Sequence, residues 1–143
     1  HVEDARRAGA RVVVGGNARA DLGPRYFEPT LLADVPTEAQ IMREETFGPV
    51  APVTVFDTEQ EALRLANDTP YGLAAYFFTR DGARILRVAE GLEYGIVGAN
   101  DGRPSAIMAP FGGMKASGRG REGGKYGVEA YLERKYLSWA LDA

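Results

Sequence analysis

The residues that decide the fold are 73–99, LAAYFFTRDGARILRVAEGLEYGIVGA, in which two apolar runs flank a helical pattern. The runs at 73–78 and 95–99 have the length and composition of strands. Asp81 is placed to cap a helix over residues 83–92. A strand, a helix and a second strand in this order predict a βαβ unit with parallel strands. The helix residues expected to face inward are Ile85, Leu86, Val88 and Ala89.

The same alternation of strand and helix patterns continues toward the start of the chain. It predicts an α/β fold made of βαβ units with a mostly parallel sheet. The further predicted strands are 11–14, 26–32 and 50–56. The further predicted helices are 2–8, a short helix from Thr37 through Arg43, and one that begins at Asp57 and Thr58 and stops at Asn67.

The composition of the chain changes at Asn100, where a long loop rich in Gly, Ser, Pro and basic residues begins and extends to Gly124. Loops of this length are usually functional or disordered. The apolar residues within it, among them Ile107 and Phe111, argue against disorder. We therefore expect this loop to carry function.

A helix is predicted at about 125–132, followed by the strand-like tail KYLSWAL, 135–141. These patterns divide the chain into a body, residues 1–131, and a tail strand, residues 132–143. A terminal strand with no following element exposes an apolar edge. The tail is therefore predicted to pair with another subunit in a homo-oligomer. The alternative is that it docks on its own sheet as an antiparallel edge.

Composition and charge exclude several classes of partner. The 143 residues carry 20 acidic and 17 basic side chains, a net charge of −3, so no field attracts nucleic acid or an anionic membrane. No apolar run approaches the roughly 20 residues of a membrane helix. The charged start HVEDARRAGA lacks the apolar region of a signal peptide. We expect a cytoplasmic protein with no nucleic-acid or membrane partner.

The chemistry-bearing residue types are sparse. There is no cysteine, which rules out a disulfide, a thiolate metal site and a cysteine nucleophile within the chain. His1 is the only histidine and is expected to be exposed to solvent, and no serine lies within a G-x-S-x-G motif. No cluster of metal ligands is visible. The sequence therefore predicts no catalytic residue and no metal site in this chain.

Two motifs remain as candidate binding elements. In EETFGPV, 44–50, the adjacent Glu44 and Glu45 would point about 100° apart on a helix, so at most one faces a site. One carboxylate followed by an aromatic ring could hold a diol and cover an apolar face, and the alternative is a solvated helix end. GRGREG, 118–123, fits G-x-G-x-x-G, but no strand precedes it, which favours a tight turn.

Three stretches carry a resemblance to a known family: EETFGPV at 44–50, NDTPYGLAAYFFTRD at 67–81 and PFGGMKASGRGREGGKYGVEAYLERKYL at 110–137. Together they resemble, in order and spacing, the C-terminal part of the aldehyde dehydrogenase superfamily. Within it, the chain is most similar to the succinate-semialdehyde dehydrogenases. The resemblance implies NAD or NADP as cofactor, a small-molecule aldehyde as substrate and a homo-oligomer formed through the C-terminal strand.

The resemblance also implies roles for four residues. Glu45 matches the acid that binds the ribose hydroxyls on the nicotinamide side of the cofactor, and Phe47 matches the ring beside the nicotinamide. Ser105 matches a contact to the substrate carboxylate. Phe111 matches a residue near the mouth of the substrate tunnel, with core packing as the alternative.

One segment departs from the subfamily pattern. In DGRPSAIM, 101–108, Asp101, Arg103 and Pro104 replace small or apolar residues. Arg103 either supplements the carboxylate site or faces solvent. Glutarate semialdehyde or another acidic semialdehyde therefore stays open beside succinate semialdehyde.

The resemblance places the catalytic chemistry outside this chain. Enzymes of this superfamily attack the aldehyde with a cysteine thiolate and hydrolyse the thioester with a Glu-activated water, and both residues lie upstream of the matched segments. We expect the chain alone to be inactive. The alternative is a non-catalytic truncated paralogue that acts as a binding or assembly module.

Overall fold

Two units make up the chain, one from His1 to Pro70 and one that begins at Tyr71. The computed structural model describes residues 1–141. In chain order, the first unit contains α1 (Val2–Arg7), β1 (Arg11–Val14), β2 (Thr30–Ala33), a 3₁₀ helix (Gln40–Met42), β3 (Val50–Pro52) and α2 (Glu59–Asn67).

Helix α1 and strand β2 build the core of the first unit. Helix α1 is six residues long and ends at Arg7, and Gly9, which follows the C-cap residue Ala8, has a φ of 108°, a conformation that favours glycine. Leu32 in β2 is fully buried, which stabilises the unit by about 1.5–3 kcal/mol. The buried apolar residues of this core are Val2, Ala5, Ala10, Leu32, Val35, Ala39 and Ile41.

Strand β2 lies at the centre of a three-stranded sheet in the order β1, β2, β3. It pairs antiparallel with β1, with Arg11 opposite Ala33 and an irregularity between Val12 and Val14. It pairs parallel with β3, with Thr30 opposite Val50. The chain between β2 and β3 crosses over through the 3₁₀ helix, which is too short to be a full βαβ unit.

The second unit contains β4 (Tyr71–Gly72), β5 (Ala74–Phe77), α3 (Gly82–Gly91), β6 (Ile96–Ala99), β7 (Met114–Lys115) and a 3₁₀ helix (Glu129–Tyr131). Strands β5 and β6 are parallel, from Ala74 opposite Ile96 to Phe77 opposite Ala99, and α3 connects them. This confirms the predicted βαβ unit. Asp81 caps α3 as expected, accepting the amides of Ala83 (2.9 Å) and Arg84 (3.1 Å).

The prediction of a mostly parallel sheet is wrong, because only half of the strand pairs observed in the described part of the chain are parallel. Within residues 1–141 the strands form three small sheets, and β1–β2 and β4–β7 are antiparallel while β2–β3 and β5–β6 are parallel. Strand patterning marks which residues are extended, whereas strand direction depends on the path of the connections. The fold is a mixed α/β arrangement.

Two predicted helices differ from the structure. The helix predicted from Thr37 to Arg43 is a single 3₁₀ turn, and Thr37 does not cap it. Asp4 of α1 instead accepts the Gln40 amide at 2.8 Å. The helix predicted at 125–132 consists of turns and one 3₁₀ helix, in a segment where three glycines lie between 123 and 127.

The prediction that Leu86 faces inward is also wrong. It is 66% exposed, while Ile85, Val88 and Ala89 are partly buried. Residues 85, 88 and 89 follow the i, i+3, i+4 spacing of one helix face, and Leu86 lies about 100° away from residue 85.

The predicted tail strand is not formed within the described chain. Residues 132–140 have no regular structure, and the large side chains of the tail are exposed. A strand needs a neighbour for its backbone hydrogen bonds, and no described segment supplies one. Pairing with a second subunit stays a prediction, and the last two tail residues, 142 and 143, lie outside the described residues.

Candidate functional site

The segment 44–47 connects the 3₁₀ helix of the first unit to β3. Residues 45–47 have no regular structure. The segment is anchored before and after, because the Glu44 amide donates to Gln40 O (2.9 Å) and the Thr30 amide of β2 donates to Pro49 O (2.8 Å). Glu45 and Phe47 therefore lie on a short bridge between two fixed points.

The structure separates the two adjacent carboxylates. Glu44 accepts a hydrogen bond from Gln40 Nε2 (2.8 Å) and lies 3.2 Å from His1 Nε2. Glu45 is exposed, and its carboxylate forms no hydrogen bond or ion pair with any of residues 1–141. Glu44 is thus occupied by contacts within the unit, and Glu45 is available to a ligand.

Phe47 is the second available group of this segment. Its side chain is 97% exposed, which is unusual for a phenylalanine in a folded unit. A carboxylate can accept hydrogen bonds from two hydroxyls, and a phenyl ring can cover a planar apolar face. The residue types at 45 and 47 fit the ribose and nicotinamide of NAD or NADP.

In the second unit, the loop that carries Ser105 begins at the carboxyl end of β6. Asn100, with φ of 57°, accepts the Thr79 amide at Oδ1 (2.8 Å) and donates from Nδ2 to Thr79 O (2.9 Å). A Cβ at Gly98 would collide with the carbonyl oxygen of Asp101. Asp101 Oδ1 accepts the Arg103 amide at 2.8 Å. These contacts fix the start of the loop.

Ser105 and Arg103 are both exposed on this loop. Within the described part of the chain, the Ser105 hydroxyl forms no hydrogen bond and the Arg103 guanidinium forms no ion pair. Ligands of α/β proteins commonly bind at the carboxyl ends of parallel strands. A hydroxyl and a free cation at this position suit an anionic ligand.

Phe111 lies further along the same connection, before β7. It exchanges backbone hydrogen bonds with Glu122, at 2.8 and 2.7 Å. Arg121 Nη1 closes the loop by donating to Gly113 O (2.7 Å) and Gly120 O (2.9 Å). The Phe111 side chain is 41% exposed, so it has one face on the unit and one face open.

The four predicted residues fall in two groups. Glu45 and Phe47 belong to the first unit, and Ser105 and Phe111 belong to one connection of the second. The GRGREG motif follows the two-residue strand β7 and leads into turns rather than a helix, with φ of 89° at Gly118 and 69° at Gly123. Residues 118–123 contain bends and one β-bridge at Glu122, with turns on either side, so the motif is neither the tight turn that we expected nor a glycine turn that opens a helix.

The sequence did not predict the role of His1. Its side chain is 21% exposed and hydrogen-bonded, which corrects the expectation of a solvent-exposed terminal residue. It also lines a cleft of about 670 Å³ in the first unit, together with residues 16–18, Phe27 and Val50. No local pattern could have revealed this, because the partners of His1 lie 43 and 45 residues away.

Tyr94 is a partly buried titratable residue of the second unit. Its partial burial raises the pKa of its hydroxyl, and the positive charge of Lys115 opposes the shift. Lys115 Nζ lies 2.7 Å from the Glu93 carboxylate. The segment before β6 is thereby tied to β7, at the base of the loop that carries Phe111.

Residues 1–141 contain no group of three or more acidic or histidine side chains arranged to hold a metal ion. Within the same residues, every helix falls short of the length and apolar character that crossing a bilayer requires.

The family model of the aldehyde dehydrogenase family matches residues 1–137. The chain belongs to the aldehyde dehydrogenase family. It is 57% identical over 141 residues to a succinate-semialdehyde dehydrogenase of Escherichia coli whose name specifies NADP(+), covering 99% of this chain and 29% of the relative. It is 58% identical over 137 residues to a glutarate-semialdehyde dehydrogenase of Pseudomonas aeruginosa, covering 96% of this chain and 28% of the relative.

Solved structures of similar sequence share the fold. An NADP-dependent enzyme of E. coli superposes with a TM-score of 0.92 at 57% identity, over 96% of this chain and 28% of that one. A betaine aldehyde dehydrogenase of Staphylococcus aureus in complex with NAD+ superposes with a TM-score of 0.86 at 46% identity, over 94% and 28%. The chain thus spans little more than a quarter of the length of these family members.

Proposed function

We propose that this chain contributes the cofactor-ribose contact and the substrate loop of an NAD- or NADP-dependent aldehyde dehydrogenase that oxidises an acidic semialdehyde. Succinate semialdehyde is the favoured substrate. The observation that carries the proposal is the pairing of an unengaged carboxylate, Glu45, with an almost fully exposed ring, Phe47. The names of the two relatives, which specify succinate and glutarate semialdehyde, support the substrate class.

On the cofactor side, Glu45 accepts hydrogen bonds from the ribose hydroxyls and Phe47 packs beside the nicotinamide. A carboxylate suits this role because it offers two acceptor oxygens and no donor, which complements a vicinal diol. When bound, the cofactor supplies the hydride acceptor for aldehyde oxidation. The fixed points on both sides of the segment keep the carboxylate and the ring together.

On the substrate side, Ser105 donates a hydrogen bond to the carboxylate of the semialdehyde and Arg103 supplies positive charge. Hydrogen bonds at Asn100 and Asp101 hold the backbone of the loop as far as Arg103, which lowers the cost of ordering that residue for a ligand. Phe111, half open, covers the apolar methylene groups of the substrate at the mouth of its tunnel.

The reacting thiolate must come from residues outside these 143, because the chain contains no cysteine. We expect no formation of reduced nicotinamide when the purified 143-residue chain is mixed with NAD or NADP and succinate semialdehyde. Turnover above background, measured by absorbance, would place the chemistry within this chain and refute the assignment.

The proposal is tested by Glu45→Gln in the complete enzyme. Loss of the charged acceptor should raise the cofactor Kd by about ten- to one-hundredfold and slow turnover, because hydrogen bonds to charged groups contribute about 1.5–3 kcal/mol. Glu38→Gln is the matched control, since Glu38 is exposed and its carboxylate forms no hydrogen bond or ion pair within the described chain. Equal cofactor affinity in wild type and Glu45→Gln would remove Glu45 from the site.

A non-catalytic assembly module is the second candidate function. The exposed apolar tail, with Tyr136 at 90% and Trp139 at 77% exposure, favours it as a surface for association. The coding sequence around these 143 residues distinguishes the two candidate functions. A reading frame that supplies a catalytic cysteine supports the enzyme, and a start codon directly before residue 1 supports the assembly module.

A further inference from the structure

The imidazole of His1 contacts both residues that flank Glu45. Its Nδ1 lies 2.9 Å from Thr46 Oγ1, and its Nε2 lies 3.2 Å from Glu44 Oε2. A carboxylate only accepts hydrogen bonds, so Nε2 carries a proton, and in the neutral ring Nδ1 accepts from the Thr46 hydroxyl. One side chain thus bridges positions 44 and 46.

A second contact from the same helix turn supports the first. Asp4 Oδ2 accepts the Gln40 amide at 2.8 Å, and Gln40 Nε2 donates to Glu44 Oε1 at 2.8 Å. His1 and Asp4 are three residues apart and therefore lie on one face of the first turn of α1. This face holds the chain from residue 40 to residue 46.

Helix α1 is a firm support for these contacts. Val2 and Ala5 on its other face belong to the buried core of the unit, and Ala5 is fully buried. The His1 carbonyl accepts the Ala5 amide at 3.0 Å, which fixes the residue that carries the imidazole. The backbone that carries the imidazole is therefore next to residues anchored in the core.

We propose that His1 is a positioning residue for the cofactor-binding segment, acting through Thr46 and Glu44 on Glu45 and Phe47. The inference rests on the proposed function of Glu45. Residues 45–47 lack the hydrogen bonds of a helix or strand, so side-chain contacts decide how far they move. Thr46 lies between the two ligand-facing residues, and holding its hydroxyl limits rotation of both. The segment is then ordered before the cofactor arrives, which lowers the entropic cost of binding.

The test uses His1→Ala, His1→Asn and His1→Gln in the complete enzyme. An Asn amide reaches the position of Nδ1 and can keep the Thr46 contact, while a Gln amide reaches the position of Nε2 and can keep the Glu44 contact. Glu3→Gln is the control, because it breaks an exposed ion pair with Arg6 (2.9 Å) on the same helix without touching the segment. Two quantities are measured: amide hydrogen exchange of residues 44–50 without cofactor, and the Kd for NAD or NADP.

In His1→Ala we expect exchange in residues 44–50 to be faster by at least about threefold and the cofactor Kd to rise about three- to tenfold, the range of one or two ordinary hydrogen bonds. The KM for the aldehyde should be unchanged. His1→Asn should restore more of both quantities than His1→Gln, and Glu3→Gln should match wild type.

Unchanged exchange in His1→Ala would overturn the inference, and so would faster exchange with an unchanged Kd. The Glu45→Gln variant separates this failure from failure of the proposed function. If Glu45→Gln weakens cofactor binding and His1→Ala does not, His1 has no positioning role and the Glu45 assignment stands. If neither variant affects binding, the Glu45 assignment fails, and the positioning role of His1 fails with it.

Discussion

The adjacent residues Glu44 and Glu45 have identical side chains but different surroundings. The sequence indicates that at most one of Glu44 and Glu45 faces a site, but on the assumption that both lie on a helix. In the structure they follow the helix, and contacts to Gln40 and His1 engage Glu44 alone. The choice of Glu45 came from the family resemblance, and the geometry leaves that carboxylate free.

Arg103 gives a prediction about substrate charge. Arg103→Gln in the complete enzyme should lower kcat/KM for succinate semialdehyde about three- to tenfold, because an exposed cation near a carboxylate contributes about 1 kcal/mol. For butanal, which has the same carbon chain length but no carboxylate, kcat/KM should not change. Arg64→Gln, an exposed arginine on α2, is the control. An equal loss for both aldehydes would show that Arg103 does not recognise the charge.

Leu32 and Leu86 give a matched prediction about burial. Leu32 is fully buried and Leu86 is 66% exposed, so the same change to Ala should have unequal cost. Leu32→Ala should lower the free energy of unfolding by about 2–5 kcal/mol, and Leu86→Ala by less than about 0.5 kcal/mol. Urea unfolding of the 143-residue chain measures both. A large cost for Leu86→Ala would mean that another surface covers this side of α3.

At the scale of secondary-structure elements, sequence patterns predicted the features that depend on residues close together in the chain. The βαβ unit of β5, α3 and β6 and the Asp81 cap appear where the sequence places them. Of the two residues at which α2 was predicted to begin, Thr58 is the one that caps it. The strand predicted at 26–32 is shifted to Thr30–Ala33. The short helix is capped by Asp4, 36 residues away, which no local motif could indicate.

The Asp81 cap gives a prediction about α3. Asp81→Ala removes the acceptor of two backbone amides and should cost about 0.5–2 kcal/mol of unfolding free energy. Exchange of the Ala83 and Arg84 amides should accelerate. Asp57→Ala should cost less, because the Asp57 carboxylate caps nothing within the described chain, although it also precedes a helix. Equal stability of wild type and Asp81→Ala would show that the cap is replaced by water.

At the scale of the whole molecule, the structure describes two units and an extended tail. The predicted division into residues 1–131 and 132–143, the oligomer, the cytoplasmic location and the inactivity of the isolated chain stay predictions. The predicted division of the chain and the predicted oligomer both concern the tail, so experiments on the tail test them. Its exposed large side chains are Leu132, Tyr136, Leu137, Trp139 and Leu141.

Trp139 reports directly on the tail, because it is the only tryptophan of the chain. If the tail pairs with a second copy, concentrating the protein should shift Trp139 emission to shorter wavelengths in parallel with an increase in sedimentation coefficient. Leu137→Glu should suppress both changes, because it places a charge in the buried edge. A monomer with unshifted emission at every concentration would contradict association through the tail.

The sequence by itself determined the family, the order of most strands and helices, and the capping residue of α3. These depend on periodicity and on hydrogen bonds between residues at most four positions apart, and the family depends on long motifs in a fixed order. Only the tertiary structure decided that half of the strand pairs among the described residues are antiparallel, that Leu86 is exposed and that His1 and Asp4 hold the segment beside Glu45. The contacts of His1 and Asp4 join residues 36 to 45 positions apart, and the strand pairs also join segments that are distant in sequence. The exposure of Leu86 depends on what packs against α3. Such features follow from the path of the backbone rather than from any local pattern.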